Sequence, residues 1–185
     1  MNVRILGVDP GLTRCGVGII DVGANRELTL VDVRVLQTRP TLALAERLGI
    51  IKAQLAAVMD QFAPDHVAIE RVFAQHNLRT VMGTAQASAI ALVEAYERGL
   101  SVELHTPSEV KAAVTGNGRA NKVQVANMVA RILNMGEQKF LPDATDALAL
   151  AVCNAWRSGA PRSGTAALTP AQQRWRDAER QARKK

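Results

Sequence analysis

The chain has 185 residues with 48% hydrophobic side chains, a length and composition that suit one compact domain with its own core and a tail. Two cysteines, Cys15 and Cys153, exclude a disulfide framework and a cysteine-based zinc site. The net charge is +6. Residues 157–185 hold eight basic and two acidic side chains, whereas residues 1–156 hold fifteen of each, so the excess positive charge lies entirely in the C-terminal segment.

The N-terminal stretch MNVRILGVD contains no apolar segment long enough for a signal peptide or a membrane span. We therefore expect a cytoplasmic protein without membrane association, in which both cysteines are reduced core thiols. Residues 159–185 are rich in charge and small polar residues and have little apolar surface to bury, so we expect a basic, flexible tail after a folded domain over residues 1–158.

Three strands are predicted first, over residues 3–9, 15–22 and 28–37, because short apolar runs are separated there by turn sequences. In the stretch ILGVDPG the first strand ends on Asp9. A buried carboxylate at a strand end is costly unless something compensates its charge. Asp9 is therefore either a turn residue that bonds the next backbone amides or a metal ligand with partners elsewhere in the chain.

The remaining elements are two helices that alternate with two strands, followed by three further helices. Apolar residues recur at helical spacing over residues 41–62 and 77–98, and HVAIE (66–70) and SVELHT (101–106) read as strands. Further helices are predicted over residues 107–114, 121–134 and 142–156. The fourth strand again ends on a carboxylate, that of Glu70.

Connection rules predict how these strands are ordered. Strands one and three of a meander run in the same direction, and a right-handed crossover helix delivers strand four parallel to them. Placing strand four beside strand one gives an α/β fold with a five-stranded mixed sheet, order 3-2-1-4-5, flanked by helices. Asp9 and Glu70 then end neighbouring strands about 5 Å apart, at the edge where ligands of open α/β sheets bind.

The sequence LPDATDALALA adds two more acids near the start of the last helix. Asp143 and Asp146 are three residues apart and face one side of the first turn. One interpretation is capping, with Asp143 as the N-cap and Asp146 stabilised by the positive end of the helix. The other is metal binding, because four carboxylates with no matched bases nearby in sequence suit two hard divalent cations.

The segment between Glu109 and Glu137 contains no acid but four basic residues, Lys111, Arg119, Lys122 and Arg131. Such a run is usually a solvated face. Beside a metal site, the same side chains can neutralise the phosphates of a nucleic acid.

Four blocks of the sequence, ILGVDPG, AIERVF, TGNGRANK and DATDALALA, resemble the RuvC-type Holliday-junction resolvases of bacteria, which are nucleases of the ribonuclease-H-like fold. The resemblance covers roughly residues 3–156, with every block in the family's order. The Asp-Pro-Gly turn alone is a weak signal, since the sugar-kinase and Hsp70-like ATPases use similar turns. The second and fourth blocks are specific.

The resemblance assigns roles to individual residues. It implies that the metal-binding and catalytic tetrad is Asp9, Glu70, Asp143 and Asp146, holding two Mg²⁺ ions for which Mn²⁺ can substitute. It implies that Lys111 and Lys122 hold DNA or support catalysis and that Phe73 stacks on a base near the crossover. Further DNA contacts are expected from Arg71, Arg119 and His76. Alternation along the strand predicts that Arg71 points away from Glu70 and the site.

The family's activity implies paired symmetric nicks near the crossover of a four-way DNA junction, with 5′-phosphate and 3′-hydroxyl ends, in homologous recombination and DNA repair. Two matched cuts imply a homodimer, for which helix 77–98 is the candidate interface, although its apolar stripe equally fits core packing. The family also implies association with the RuvA-RuvB branch-migration helicase.

Three alternatives are less consistent with the sequence. A phosphotransferase of the sugar-kinase and Hsp70 type needs a second comparable domain, for which 185 residues leave no room. A junction-binding protein without catalysis gains nothing from clustered negative charge facing DNA. A shorter relative involved in RNA maturation shares the ILG-x-DPG start, but AIERVF and TGNGRANK favour the junction resolvases.

Overall fold

The computed structural model describes residues 2–72, 78–136 and 141–157. The elements in chain order are β1 (Val3–Asp9), β2 (Arg14–Val22), β3 (Leu28–Gln37), α1 (Leu44–Phe62), β4 (His66–Glu70), α2 (Leu78–Glu97), β5 (Ser101–His105), α3 (Pro107–Thr115), α4 (Lys122–Ile132) and α5 (Pro142–Arg157). The sheet order is β3-β2-β1-β4-β5, which confirms the prediction. The first three strands pair antiparallel, and β4 is parallel to both β1 and β5.

The predicted boundaries agree with these elements to within three residues, the largest difference being that α1 begins at Leu44 instead of residue 41. Thr41 and its neighbours belong to the loop that follows β3. The predicted tail, residues 159–185, lies outside the described residues. None of the described helices is long and apolar enough to cross a membrane.

The sheet separates two hydrophobic layers, and the alternation of β1 shows how. Leu6 and Val8 are buried against α1 and α2, whereas Ile5 is buried on the opposite face with α5. Because side chains alternate along a strand, Gly7 and Asp9 share the face of Ile5 and lie under α5. Cys15 and Cys153 are both free thiols buried in the core, one in each layer.

Helix α5 lies in direct backbone contact with β1 and β2 because three glycines leave room for it. A Cβ atom at Gly7 would lie 2.0 Å from the Ala147 carbonyl oxygen, and one at Gly16 would lie 1.9 Å from the Asp143 carbonyl oxygen. At Gly18 a Cβ would come within 2.8 Å of the Leu148 backbone nitrogen. Strand glycines of this kind mark the close approach of another backbone, and here they fix the position of α5 along the sheet.

Helix α2 buries a different side from the apolar stripe that helical spacing suggests. Its core-facing residues are small, with Ala87, Ala91 and Ala95 fully buried. On the predicted stripe, by contrast, Met82 and Tyr96 are 58% and 83% exposed. Core packing therefore does not account for the stripe.

An ionic network selects this orientation of α2. Glu94 is 1% exposed and lies between two cations, because Lys52 of α1 contacts its Oε1 and Arg98 Nη1 lies 2.7 Å from its Oε2. Arg98 also lies 2.8 Å from Asp60 of α1. Burying a carboxylate is costly unless it is paired, so the side of α2 that carries Glu94 must face α1.

Replacing Gly7 by alanine should displace α5, because the new methyl group would overlap a backbone carbonyl that cannot rotate away. We expect a loss of about 1–3 kcal/mol in the free energy of unfolding, as for overpacked cores. Urea unfolding followed by circular dichroism measures this loss.

Gly49→Ala is the matched control, because Gly49 lies in α1 and a methyl group added there would have no neighbouring atom within 4 Å. Alanine should stabilise that helix by about 0.5–1 kcal/mol. A Gly7→Ala protein as stable as the wild type would contradict the backbone contact.

Candidate active site

Two carboxylates end neighbouring parallel strands. Val8 of β1 pairs with Ile69 of β4, so the next residues, Asp9 and Glu70, lie side by side at the same edge of the sheet. Burial, followed by the Glu70 carboxylate, raises the pKa of Asp9 to about 8, and Asp146 and Asp143 contribute further. The four predicted acids thus share one electrostatic environment in which Asp9 retains a proton at neutral pH when no cation is bound.

The first turn of α5 carries the other two acids to this edge. The helix begins at Pro142, so Asp143 is its second residue and does not act as the N-cap. The Asp143 carbonyl group rests on Gly16, which pairs with Asp9 across β1 and β2. The position of α5 on the strand glycines therefore determines that its acidic turn lies beside Asp9.

A cavity of about 220 Å³ opens at this edge. The predicted site residues that line it are Asp9, Glu70, Lys111, Lys122 and Asp146. Its remaining lining is Pro107, Val110, Val125, Ala149 and Leu150. The cavity therefore has three carboxylates and two ammonium groups on an apolar base, while Asp143 lies beside it.

Two capping boxes hold the helices that carry the lysines. At the start of α3, Glu109 N donates to Thr106 Oγ1 at 3.2 Å, and Thr106 N donates to Glu109 Oε2 at 2.8 Å. At the start of α4, Asn121 and Gln124 exchange the same pair of bonds, each of 2.9 Å. Lys122 follows the N-cap directly, so the capping box fixes the point from which its side chain extends.

Each acid on α5 has a basic partner. Lys122 Nζ donates to Asp146 Oδ2 at 2.8 Å, and this bond is the main cause that raises the pKa of Lys122. Arg14 Nε lies 2.8 Å from Asp143 Oδ2, but this buried oxygen accepts no hydrogen bond, so the contact is ionic without hydrogen-bond geometry. The four acids have no matched bases nearby in sequence, as noted above, but the fold brings two distant basic residues to the α5 pair.

The donor chemistry suits a hard divalent cation. Carboxylate oxygens are the preferred ligands of Mg²⁺, the pKa of Asp9 is raised by uncompensated negative charge as well as by burial, and Asp143 Oδ2 is buried without a donor. Within the described ranges, however, no three acidic, histidine or cysteine side chains converge closely enough to hold a metal ion. The α5 carboxylates lie against Lys122 and Arg14 instead.

The other predicted DNA contacts lie in different surroundings. Arg71 is exposed directly after β4, its backbone nitrogen donates to the His105 carbonyl oxygen, and its side chain does not line the cavity. Arg119 is exposed in the loop between α3 and α4. Phe73 and His76 lie outside the described residues.

Sequence reasoning missed Arg14 and the glycines beneath α5. The spacing of Gly16 and Gly18, two apart in one strand, is a signal of close backbone approach that can be read from the sequence. No local signal pairs Arg14 with Asp143, because the two residues meet only through the packing of α5 on β2.

Comparison with known proteins gives consistent matches over most of the chain. A family model described as crossover junction endodeoxyribonuclease RuvC matches residues 5–154. A curated protein of that name from Leifsonia xyli subsp. xyli is 54% identical over 97% of this chain and 93% of its own length. Another from Paenarthrobacter aurescens is 52% identical over the whole of both chains.

Among solved structures, Thermus thermophilus RuvC in complex with a Holliday junction substrate superposes with a TM-score of 0.80 and 34% identity. The match covers 88% of this chain and 97% of that one. The ribonuclease-H-like fold is thereby confirmed.

The raised pKa of Asp9 predicts a pH-dependent stability in the absence of metal. The unfolded chain releases this proton near pH 3.8, whereas the native state holds it up to about pH 8, so stability falls as the pH rises through that window. Because asparagine does not ionise, Asp9→Asn abolishes this pH-dependent loss of stability. It should raise the melting temperature in EDTA at pH 8 by about 2–6 °C, with little difference at pH 4.

Thermal unfolding at pH 4, 6 and 8 measures the effect. Glu27→Gln, at an exposed carboxylate in the turn before β3, should show no such trend. The same shift in both variants would refute the burial and charge repulsion of Asp9 as its cause.

Proposed function

The chain belongs to the RuvC family of crossover junction endodeoxyribonucleases, and we propose that it resolves four-way DNA junctions by Mg²⁺-dependent hydrolysis at the cavity formed by the ends of β1 and β4 and by α3–α5. The observation that carries the proposal is that Asp9, Glu70 and Asp146 line one cavity together with Lys111 and Lys122. Clustered carboxylates alone repel DNA, so their value lies in holding cations against a phosphate.

The acids and the lysines have different proposed roles. Asp9, Glu70, Asp143 and Asp146 are the proposed ligands of two Mg²⁺ ions, for which Mn²⁺ can substitute. Divalent ions held by these carboxylates would supply activation of a water for in-line attack and stabilisation of the leaving 3′-oxygen, which would give a 5′-phosphate and a 3′-hydroxyl end. Lys111 and Lys122 line the same cavity, where their ammonium groups neutralise the phosphate that enters it.

The remaining DNA contacts are assigned by position. Arg119 is exposed in the α3–α4 loop, and Arg71 is exposed just beyond β4. Their exposure supports the proposal that both contact phosphates flanking the cleaved one. Phe73 and His76 are proposed from the family pattern alone, with Phe73 stacking on a base near the crossover.

A homodimer fits the exposed face of α2. Met82, Ala85, Ala89, Leu92 and Tyr96, called here the α2 seam, recur at the three- and four-residue spacing of a helix–helix interface. Met82, Leu92 and Tyr96 are 58%, 37% and 83% exposed, and Val93 beside them is 46% exposed. We propose that a second copy covers the seam, since two sites related by a two-fold axis match the two cuts that a junction needs.

Family membership also supports two further proposals. The enzyme acts in the cytoplasm, where bacterial DNA recombines and is repaired. It associates with the RuvA-RuvB branch-migration helicase, which would bring junctions to it.

A synthetic four-way DNA junction with labelled arms tests the reaction. We expect paired symmetric nicks by the wild type with Mg²⁺, and loss of cleavage by roughly 10³-fold or more in Asp9→Asn with junction binding retained, because a metal ligand is lost and the DNA surface is not. Binding by the wild type without cleavage in Mg²⁺ or Mn²⁺ would refute the nuclease and favour a structural junction-binding protein.

Sedimentation velocity tests the dimer. The double substitution Met82→Glu with Tyr96→Glu should give a monomer, because it places charge across the α2 seam on both copies. Leu44→Glu, at a 44% exposed leucine of α1, is the control and should remain dimeric. A monomeric wild type, or a seam variant that sediments as a dimer, would contradict the assignment.

A further inference from the structure

Within the part of the chain that the structure describes, the two acids on α5 have basic partners, whereas the two acids on the strands do not. Asp143 and Asp146 on α5 each contact one cation, Arg14 and Lys122 respectively, at 2.8 Å. None of the ion pairs among the described residues involves Asp9 or Glu70 on the strands, and the pKa of Asp9 is raised to about 8. The strand acids are thus ready for a metal ion, whereas the helix acids are already neutralised by the chain itself.

The ion pair between Arg14 and Asp143 can break without large cost. The Arg14 side chain is 60% exposed, while the Asp143 side chain is 21% exposed. Asp143 Oδ2 is buried yet accepts no hydrogen bond, so Arg14 compensates its charge without satisfying its lone pairs. An ion pair that has one exposed partner and no hydrogen bond is weak, so a divalent ion can displace the arginine.

The position of Arg14 allows the release. Arg14 is the first residue of β2, where it pairs with Gln37 at the end of β3, and its side chain is largely exposed. Withdrawal of the side chain therefore disturbs no buried packing. Its neighbour Cys15, in contrast, is fully buried and holds the strand in place.

We propose that Arg14 is a positioning residue that acts as a counter-cation for Asp143 and thereby weakens metal binding on the α5 side of the site. Together with Lys122 it holds the helix carboxylates apart from the strand pair, in accord with the lack of a converged ligand set among the described residues. Loading the α5 side then requires Arg14 to leave Asp143. The inference rests on the proposed metal-dependent function.

A metal-binding measurement without DNA tests the role of Arg14. Free Mn²⁺ is followed by electron paramagnetic resonance as protein is titrated at about pH 7.5. Arg14→Gln should bind Mn²⁺ about two- to fivefold more tightly than the wild type, the factor that corresponds to a weak ion pair. Arg14→Lys keeps the charge and should restore an affinity close to that of the wild type.

Two comparisons isolate the contact with Asp143. Arg34→Gln removes an arginine that is also paired with a single aspartate, Asp32, at 2.6 Å on β3, and it should leave Mn²⁺ affinity unchanged. In an Asp143→Asn background, adding Arg14→Gln should no longer tighten binding, because the partner of Arg14 is already neutral.

The outcomes separate this inference from the proposed function. A wild type that binds no Mn²⁺ would overturn both. Mn²⁺ binding that is the same in the wild type and Arg14→Gln would overturn the inference alone. Unchanged Mn²⁺ affinity with weakened junction binding would identify Arg14 as a phosphate contact instead.

Discussion

The close contact between α5 and the bare backbone of β1 and β2 determines the geometry of this protein. Gly7, Gly16 and Gly18 leave no side chain between the helix and the sheet, so that the helix backbone rests on the strands. The helix can occupy only one position along the strands. Its first turn then lies beside Asp9, and the acidic cluster follows from this packing.

The acidic cluster is unfavourable for the stability of the isolated fold. Burial and mutual repulsion of the carboxylates raise the pKa of Asp9 far above its ordinary value, and only part of that repulsion is offset by Lys122 and Arg14. A structure selected for stability alone would not gather these groups. Their cost is consistent with a site whose native partner is a cation, and in our proposal Arg14 and Lys122 compensate the α5 carboxylates until that cation binds.

The same division between core and function appears in α2. Inside, alanines and the ion-paired Glu94 hold the helix against α1 and the sheet. Outside, the α2 seam leaves large apolar side chains in solvent, where they do not stabilise a monomer. Helix α2 thus packs on the sheet that carries Asp9 and Glu70, and its outer face is the surface through which, in our proposal, two active sites are held in register.

The sequence by itself determined the order and type of the elements, the sheet order, and the two carboxylates at strand ends, because these depend on periodicity and on general connection rules. The motifs around Asp9, Glu70 and Asp146 also indicated the family. Only the tertiary structure decided which side of α2 is buried, since helical spacing reveals an apolar stripe without saying what covers it. The tertiary structure alone revealed the pair of Arg14 and Asp143, because these charges are far apart in the chain and meet only when α5 packs on the glycines of β1 and β2.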